Sequence, residues 1–572
     1  MNGRYLSIFA ALAAALTVAP HPASAQQSKQ RVTAQFVTGG SLEGPAQVVL
    51  GALPQTTAEQ AAQPVIEHPI MHGMPQAEYA ALKAQAAAPG SPSGAVPTMP
   101  MPSLPSASQA EILTSTASTA FGGAGQLCGG GGSFIPSDMS LAVGTQFIVQ
   151  SVNSCVAVFD KTGVMQMGFP KNINAFFGVG TLSAGVEVFD PRAIYDWVNS
   201  RYVVTAISCR NCFPATSSIL SWVNVAVSQS ADPRGAWNIY HFKVQNAPLS
   251  FAPGDFADFD TLGQDRKAIY VCFNHLNFSS RFVDSVIMML PKSTMFAGGV
   301  VTSFNLFKSI TFGGLELDSI QAANVMNTAD NPRAEFLVAS ENIAFGGGAC
   351  SSGCSAVVVI AIANPLSSPI FSSAAVATNT YSLPPSAGQP GSIFVDSGDV
   401  RITGGVTYAA GSLFFSLNTN GSSSGSGFSH VMWFQLRPFL DDTPNFLGAQ
   451  ILNQACYLCG TATDTYYGTL QPDPQGNVIM VFNYSDNSSF PVSSAYTGRR
   501  VTQAANTMHD PFVFLQIGAA AYQDSLWGDY TATAPDLTSA TSPSMWVAAS
   551  SAKAAHRWRS AIGNVRFRAT DP

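Results

Sequence analysis

Polar residues, nearly all of them acidic, recur along this 572-residue sequence at intervals of 52 to 81 residues, each opening a stretch that favours a β-strand. Two carboxyl groups about 5 to 9 Å apart can act as the acid and the base that cleave a glycosidic bond. We therefore treat Asp190, Asp399 and Asp529 as candidate catalytic residues. The full series is Asp138, Asp190, Asp258, Asp318, Asp399, Tyr466 and Asp529.

In two of these stretches an arginine follows the aspartate two residues later, as Arg192 follows Asp190 and Arg401 follows Asp399. Residues i and i+2 of a strand share a face, so each pair can point the same way. Such a pair can bridge neighbouring strand units, or it can grip a carboxylate or the hydroxyl groups of a sugar. Both interpretations stay open. The candidate ligand-binding residues are Asp138, Arg192, Asp258, Arg401, Tyr496, Arg499, Trp527 and Tyr530.

The densest acidic stretch runs from 254 to 260 and contains Asp258 and Asp260. Clustered carboxylate oxygens suit Ca²⁺, so these two residues are candidate ligands for a structural calcium ion. The stretch lacks the glycine-punctuated twelve-residue loop of a calcium hand, and an Asx turn that opens a strand is the alternative. No cofactor is expected to be required.

The elements that would position these residues are short strands. The stretch 189–208 predicts one strand, a polar turn at Asn199 and Ser200, and a second strand rich in β-branched residues. Similar units recur down the chain, and seven units of four strands around a central channel form a β-propeller. We expect an all-β, seven-bladed β-propeller over residues 121–572, with the recurring acids at one mouth of the channel. A series of β-sandwiches is the alternative.

Composition limits the classes of partner. Charged residues make up 10% of the chain, the net charge is −7 and the sequence pI is about 5.6. No basic surface is available to neutralise phosphates, so we expect no nucleic-acid partner. The chain is rich in Gly, Pro and Phe, which suits short strands joined by tight turns.

The N-terminal part of the sequence reads as non-globular. Residues 1–25 combine an early Arg4, an apolar run from Leu6 to Val18 and a small-residue end at Ala25, which is the pattern of a secretory signal peptide. Residues 26–120 are rich in Ala, Pro, Gln and Ser, and predict a mostly disordered leader with a helical patch around 75–87. No later run is long enough to span a membrane. We expect a secreted protein, extracellular, on the cell surface or periplasmic.

The nine cysteines favour local disulfides in such an oxidising compartment. Two Cys-x-x-Cys pairs would also be compatible with zinc, but the sequence around them lacks a second convincing ligand set. Cys272 is left without a partner. The predicted pairs are Cys209 with Cys212, Cys350 with Cys354, Cys456 with Cys459, and Cys128 with Cys155.

Several of these motifs together resemble a family of exported bacterial β-propeller proteins of largely unassigned function, which is distantly similar to sialidase-like propellers. The resemblance covers 136–566 and implies the fold more than an activity. True sialidases repeat the turn Ser-x-Asp-x-Gly-x-Thr-Trp, and this chain has only Asp473-Pro474-Gln475-Gly476 without the Trp. Sialic acid cleavage is therefore not implied. The motifs are Pro136-Ser137-Asp138, Asp190-Pro191-Arg192, Asp232-Pro233-Arg234-Gly235, Gly398-Asp399-Val400-Arg401, Tyr496-Thr497-Gly498-Arg499 and Trp527-Gly528-Asp529-Tyr530.

Two functions remain open from the sequence. The first is a ligand-binding or scaffolding module outside the cell, whose partner is a glycan or an extracellular protein. The second is a glycan-active hydrolase or lyase in which two carboxylates act as acid and base and the arginines hold an acidic sugar. Convergent, buried carboxylates with a raised pKa would favour the enzyme, whereas acids neutralised by arginine or calcium would favour the binding module.

Overall fold

The computed structural model describes residues 32–56, 65–67, 72–89, 91, 115–128, 133–212, 215–325, 329–341, 349–423, 426–508, 511–539 and 543–567. Most of the regular structure in the described chain is β-strand, which confirms the expected all-β class. No helix among these residues is long and apolar enough to cross a membrane. The predicted signal peptide, 1–25, lies outside the described residues.

Most strands belong to antiparallel groups that follow one another along the chain, which we number 1 to 7. Group 1 contains the strands Ser140–Val143, Phe147–Val152, Cys155–Asp160 and Lys171–Asn172. Group 2 contains Glu187–Asp196, Arg201–Cys212, Ala215–Ser228 and Ala236–Lys243. Group 3 contains Phe256–Gln264, Ala268–Leu276, Phe282–Pro291 and Phe304–Phe312. Group 4 contains Gln321–Val325, Glu335–Ser340, Cys354–Ala363 and Ile370–Tyr381. Group 5 contains Val406–Ala409, Ser412–Ser423, Ser426–Leu440 and Phe446–Tyr457. Group 6 contains Asp464–Pro472, Val478–Ser485, Ser493–Arg499 and Val513–Gln516. Group 7 contains Ala532–Asp536, Ser544–Ala554, Arg557–Phe567 and, from earlier in the chain, Ser115–Gly125.

The remaining elements are short or lie outside these groups. The helices are α1 (Gln76–Ala87), α2 (Ile173–Phe177) and α3 (Lys292–Phe296), with 3₁₀ turns at Leu50–Ala52, Val179–Thr181 and Ala349–Ser352. The other strands are Val32–Gly40, Glu43–Val49, Val65–Glu67, Ser133–Ile135, Leu315–Glu316, Ala387–Gln389 and Ile393–Val395.

The first strands of the groups contact one another in a cyclic series. Each contacts the first strand of the next group, and the first strand of group 7 contacts that of group 1. A narrow cavity of about 70 Å³ lies among them and is lined by side chains from several groups, including Ser140, Arg192, Gln321, Gln471 and Thr533. These strands therefore form the inner layer of the molecule.

A backbone irregularity recurs where the inner strands begin. The pairing register shifts between Phe189 and Arg192, between Asp258 and Thr261, and between Tyr466 and Thr469. A β-bulge of this kind leaves residues outside the ladder and re-aims their side chains. Residues with positive φ mark the same places, at 36° to 52°: Asp138, Asp190, Phe259, Ser319 and Tyr467.

Apolar side chains from facing groups form the core between them. Trp237 of group 2 is fully buried and meets the ring of Phe176 edge-on, with ring centroids 5.1 Å apart. The predicted hairpin over 189–208 is also confirmed, because Asp196 pairs with Arg201 on either side of the turn that holds Asn199 and Ser200. Full burial of one large apolar side chain contributes about 1.5–3 kcal/mol, so this packing dominates the stability of the groups.

Parts of the predicted leader, 26–120, form strands and a helix, and most of the rest of that segment lies outside the described residues. Val32–Gly40 pairs with Phe304–Phe312, and Glu43–Val49 pairs with Ala236–Lys243, so each adds a strand to an outer edge. Most of their side chains are exposed or half-buried, and backbone hydrogen bonds hold them. The expected helical patch is confirmed as α1. The boundary placed at 120 falls inside the strand Ser115–Gly125.

The four predicted cysteine pairs are joined as disulfides: Cys128 with Cys155, Cys209 with Cys212, Cys350 with Cys354, and Cys456 with Cys459. Cys272 is a buried free thiol. Burial raises the pKa of its thiol to about 12, so at neutral pH it stays protonated and unreactive.

Candidate functional site

Four carboxylates converge where the inner strands begin, and we call Asp138, Asp190, Asp258 and Asp529 the mouth cluster. Each lies at or just before the first strand of a group, and these strands start at the same end of the inner layer. Their side chains are buried, with exposed fractions of 1% to 8%. The structure thus brings four of the recurring acids close enough together to influence one another electrostatically.

Asn153 ties three groups together beneath the cluster. Its Nδ2 donates to Asp138 Oδ2 at 2.5 Å, and its Oδ1 accepts from the backbone N–H of Asp190 at 2.8 Å. The backbone N–H of Asp529 donates to the other oxygen of Asp138 at 2.7 Å. Groups 1, 2 and 7 are thus joined through one carboxylate and one amide.

Burial and mutual repulsion raise the pKa values of three members of the cluster, Asp138, Asp258 and Asp529. Burial and then the Asp190 carboxylate raise the pKa of Asp138 to about 8. The same two causes raise the pKa of Asp258 well above its usual range, and burial with the Asp138 carboxylate does so for Asp529. A raised pKa favours the protonated form of these three carboxyl groups, which is the state a general acid requires.

Arg192 crosses the inner layer and stacks on an aromatic ring. Its Nε donates to the backbone oxygen of Asp260 at 2.9 Å, and its Nη1 donates to that of Thr403 at 3.0 Å. The guanidinium carbon lies 3.4 Å from the ring centroid of Tyr530. Arg192 thus links group 2 to groups 3, 5 and 7, which is the bridging role. Tyr530 lies at the site as predicted.

Asp399, a candidate catalytic residue, forms a buried ion pair with Arg401, and its catalytic role stays a prediction. Arg401 Nη2 donates to Asp399 Oδ2 at 2.6 Å, and Nε reaches both carboxylate oxygens at 2.9 and 3.0 Å. Asp399 is 0% exposed and Arg401 is 4% exposed. Burial alone would raise the pKa of Asp399, but the guanidinium and His72 hold it far below its usual range. A carboxylate committed in this way is poorly suited to proton transfer.

A segment of the leader lies over this end of the inner layer, and we call His72–Ala87 the cover. Lys83 Nζ donates to the backbone oxygen of Gly398 at 2.6 Å and lies 3.4 Å from Asp396 Oδ1. Tyr79 Oη donates to the same Asp396 oxygen at 3.1 Å. Burial alone would raise the pKa of Asp396, but Lys83 and His72 hold it well below its usual range.

Two predicted ligand-binding residues do not reach this end. Tyr496 is packed in an apolar core with Met545, Val547 and Val565. Arg499 ends its strand opposite Val478, which is the far end of group 6. Strand alternation and length set these positions, and neither could be read from the motif alone.

Trp527 is a packed core residue near the site. It is 2% exposed, its ring lies 4.8 Å edge-on from that of Tyr522, and its Nε1 donates to Asn483 Oδ1 at 3.3 Å. This placement matches the packing role that tryptophans have by default in such folds.

Asp258 and Asp260, the candidate calcium ligands, flank a positive-φ residue at the bulge. Asp260 is fully buried and accepts from Thr205 Oγ1 at 2.7 Å, and burial raises its pKa to about 8. Among the described ranges, no three or more His, Cys, Asp or Glu side chains are arranged to hold a metal ion. The calcium site stays a prediction.

Several residues of the site escaped the sequence reasoning. Asn153 lies in the turn between the strands Phe147–Val152 and Cys155–Asp160, and no motif in the sequence around it marks it as a site residue. His72, Tyr79 and Lys83 lie in the leader that was expected to be mostly disordered, and Tyr79 and Lys83 fall within its expected helical patch. Tyr79, Lys83 and Ala86 recur at the spacing of one helix face. That spacing, with one lysine on an otherwise apolar face, was the available signal.

Comparisons with known proteins assign no family. No protein-family model matches the chain, and no curated protein matches it. Similar solved structures include a GH43 β-1,3-galactosidase with galactodeoxynojirimycin, at 11% identity over 55% of this chain and 94% of that one, with a TM-score of 0.28. Trypanosoma rangeli sialidase is 10% identical over 73% of this chain and 58% of that one, with a TM-score of 0.32. An exo-β-1,3-galactanase from Clostridium thermocellum is 11% identical over 67% of this chain and 79% of that one, with a TM-score of 0.30. Identities and scores this low leave family and activity open.

Proposed function

We propose that the groups form the blades of a seven-bladed β-propeller that is exported from the cell. The cyclic contacts of the inner strands support closure, because a propeller joins its last blade to its first. Ser115–Gly125 supports it further, since this early strand completes group 7 at the end of the chain. The four disulfides fit an oxidising, extracytoplasmic location.

For the activity, we propose a glycan-active hydrolase whose catalytic groups belong to the mouth cluster. The observation that carries this proposal is the convergence of buried carboxylates with raised pKa values from separate groups. A protonated carboxyl group beside an ionised one is the arrangement that glycosidic cleavage needs. Pairs of this kind are otherwise costly to bury, so a fold retains them where they have a use.

The roles follow from the surroundings of each group. Asp529, which burial keeps protonated, would donate its proton to the glycosidic oxygen as the sugar–oxygen bond breaks. Asp190 would act on the opposite side, either activating a water molecule or attacking the anomeric carbon. Arg192 would position the site by holding Tyr530 and the neighbouring groups in place.

Neutral sugars are better substrate candidates than acidic ones. Arg192 and Arg401, which would have gripped an acidic sugar, are both buried, with ring and backbone or carboxylate contacts of their own. Their guanidinium groups therefore serve the fold. The alternative function, a binding module, is favoured by one observation, the neutralisation of Asp399 by Arg401.

A panel of neutral and acidic polysaccharides tests the proposal through release of reducing ends. The full chain carries Lys83→Met and Tyr79→Ala, which remove the polar contacts of the cover, and is compared with the same chain carrying Asp529→Asn or Asp190→Asn. Asp473→Asn is the matched control, because Asp473 is 4% exposed but lies in a turn at the far end of group 6. Release that both mouth variants abolish and the control retains supports the hydrolase. Release from no substrate refutes it.

A further inference from the structure

The cover reaches the mouth through a seat formed by four consecutive residues, Asp396 to Asp399, which lie between the strand Ile393–Val395 and the first strand of group 5. Lys83 Nζ contacts three of them, since it also lies 3.3 Å from Ser397 Oγ. Tyr79 and Lys83 are 2% and 5% exposed, although they belong to a helix whose other residues mostly face solvent. A lysine this deeply buried is uncommon unless it is paired.

His72 extends the same contact towards the ion pair. Its Nε2 lies 3.1 Å from Asp396 Oδ2, its Nδ1 lies 3.7 Å from Asp399 Oδ2, and its ring stacks on Tyr79 with centroids 3.4 Å apart. Tyr467 continues the path, because its hydroxyl donates to the Asp396 backbone oxygen at 3.4 Å. Besides burial, the pKa of Tyr467 is raised by nearby carboxylates of the seat, Asp396 and Asp399, and of the mouth cluster, Asp529 and Asp138. The seat and the mouth cluster therefore adjoin.

The cover is held by these polar contacts more than by apolar packing. Of the twelve residues of α1, Tyr79, Lys83 and Ala86 are buried. The helix begins after Pro75, whose side chain has no group that can cap it. A twelve-residue helix is marginal by itself in water, so the cover depends on the seat. Segments with few buried apolar contacts are the ones that open without global unfolding.

We propose that His72–Ala87 is a displaceable plug that shields the mouth cluster and must leave its seat before a ligand can enter. The effect of displacement on turnover rests on the proposed hydrolase function, but the exposure of the carboxylates does not. The rival interpretation is that the cover is a permanent part of the fold, which would open only when the whole domain unfolds.

Carboxylate labelling distinguishes the two interpretations. The full chain is treated at neutral pH with a water-soluble carbodiimide and an amine, and modified residues are located by mass spectrometry. Lys83→Met with Tyr79→Ala removes the plug contacts, and Lys161→Met is the matched control, because Lys161 also pairs with one carboxylate, Asp536, at 2.8 Å. We expect at least tenfold faster modification of Asp396 and Asp529 in the plug variant alone. Equal rates in wild type, plug variant and control overturn the proposal.

A second measurement needs no variant. In hydrogen exchange of the wild type, a plug predicts that the amides of Tyr79–Ala87 exchange at least a hundredfold faster than those of the central strand Arg201–Cys212. Equal protection of both segments overturns the proposal.

The labelling and the polysaccharide assay together separate the two proposals. Faster labelling without product release upholds the plug and refutes the hydrolase. Product release with unchanged labelling upholds the hydrolase and refutes the plug.

Discussion

Replacing Asp399 with Asn should destabilise the protein strongly, because it removes one partner of a buried, bidentate ion pair. Asp399 is 0% exposed and Arg401 is 4% exposed. In the variant, the guanidinium of Arg401 would stay buried 4.7 Å from the Phe259 ring without its carboxylate. The variant therefore tests whether Asp399 serves the fold, as its contacts indicate.

The expected magnitude is about 3–5 kcal/mol of unfolding free energy, the usual cost of leaving one member of a buried pair without its counter-charge. For a protein whose total stability is about 5–15 kcal/mol, this is a large fraction. Replacing both residues, as Asp399→Asn with Arg401→Met, should recover at least half of the loss, because the double variant no longer buries the guanidinium group.

The contribution of Asp399 to the free energy of unfolding depends on pH in a definite direction. The folded pKa of Asp399 lies far below its ordinary value of 3.8, so the stability it contributes is present above that ordinary value. This contribution is lost as the pH falls below about 4 towards the folded pKa. The difference between wild type and Asp399→Asn should therefore be constant above about pH 5 and should shrink in acid.

Equilibrium unfolding in urea, followed by tryptophan fluorescence, measures these differences for the wild type, both single variants and the double variant. A midpoint for Asp399→Asn that coincides with that of the wild type would refute the structural role. A double variant no more stable than Asp399→Asn would show that the loss does not arise from the buried guanidinium of Arg401.

Three further outcomes are expected. Cys272 should resist alkylation in the folded protein and react only after denaturation, because burial raises the pKa of its thiol to about 12. Rapid alkylation of the native protein, detected by mass spectrometry, would contradict its burial. The wild type should lose stability as the pH rises from 4 to 9, because the pKa of Asp260 in the folded protein is raised to about 8. Asp260→Asn should therefore gain stability relative to the wild type over this range in urea unfolding. Parallel plots of unfolding free energy against pH for the two proteins would contradict this. Asn153→Ala should cost about 1–3 kcal/mol of unfolding free energy in the same assay, because it removes the hydrogen bonds of Asn153 to the Asp138 carboxylate and the Asp190 backbone N–H. An unchanged unfolding midpoint would argue against this role of Asn153.

The repeating units were readable from the sequence because they rest on local patterns. Strand-like stretches, turns such as that at Ser200, and the spacing of the acids each depend on a few neighbouring residues. The disulfide pairs were readable for the same reason, since three of them join cysteines three or four residues apart. The acids of the mouth cluster could be predicted as a set because each opens an inner strand.

The contacts that decide the roles are not local, and the sequence does not encode them legibly. Arg192 was paired with Asp190 by spacing, but its guanidinium reaches Asp260, Thr403 and Tyr530. The leader was judged on its average composition, which hid two strands that gain their stability from the edges of distant groups. Lys83 and Asp396 are 313 residues apart, and only the folded chain brings them together.

The most direct test of the account is product release by the Lys83→Met, Tyr79→Ala chain, measured side by side with the same chain carrying Asp529→Asn. The account predicts that reducing ends appear from a neutral polysaccharide with the first chain and not with the second. Equal release by the two chains, or no release by the first although its mouth carboxylates label rapidly, would contradict the assignment of the mouth cluster as a catalytic site.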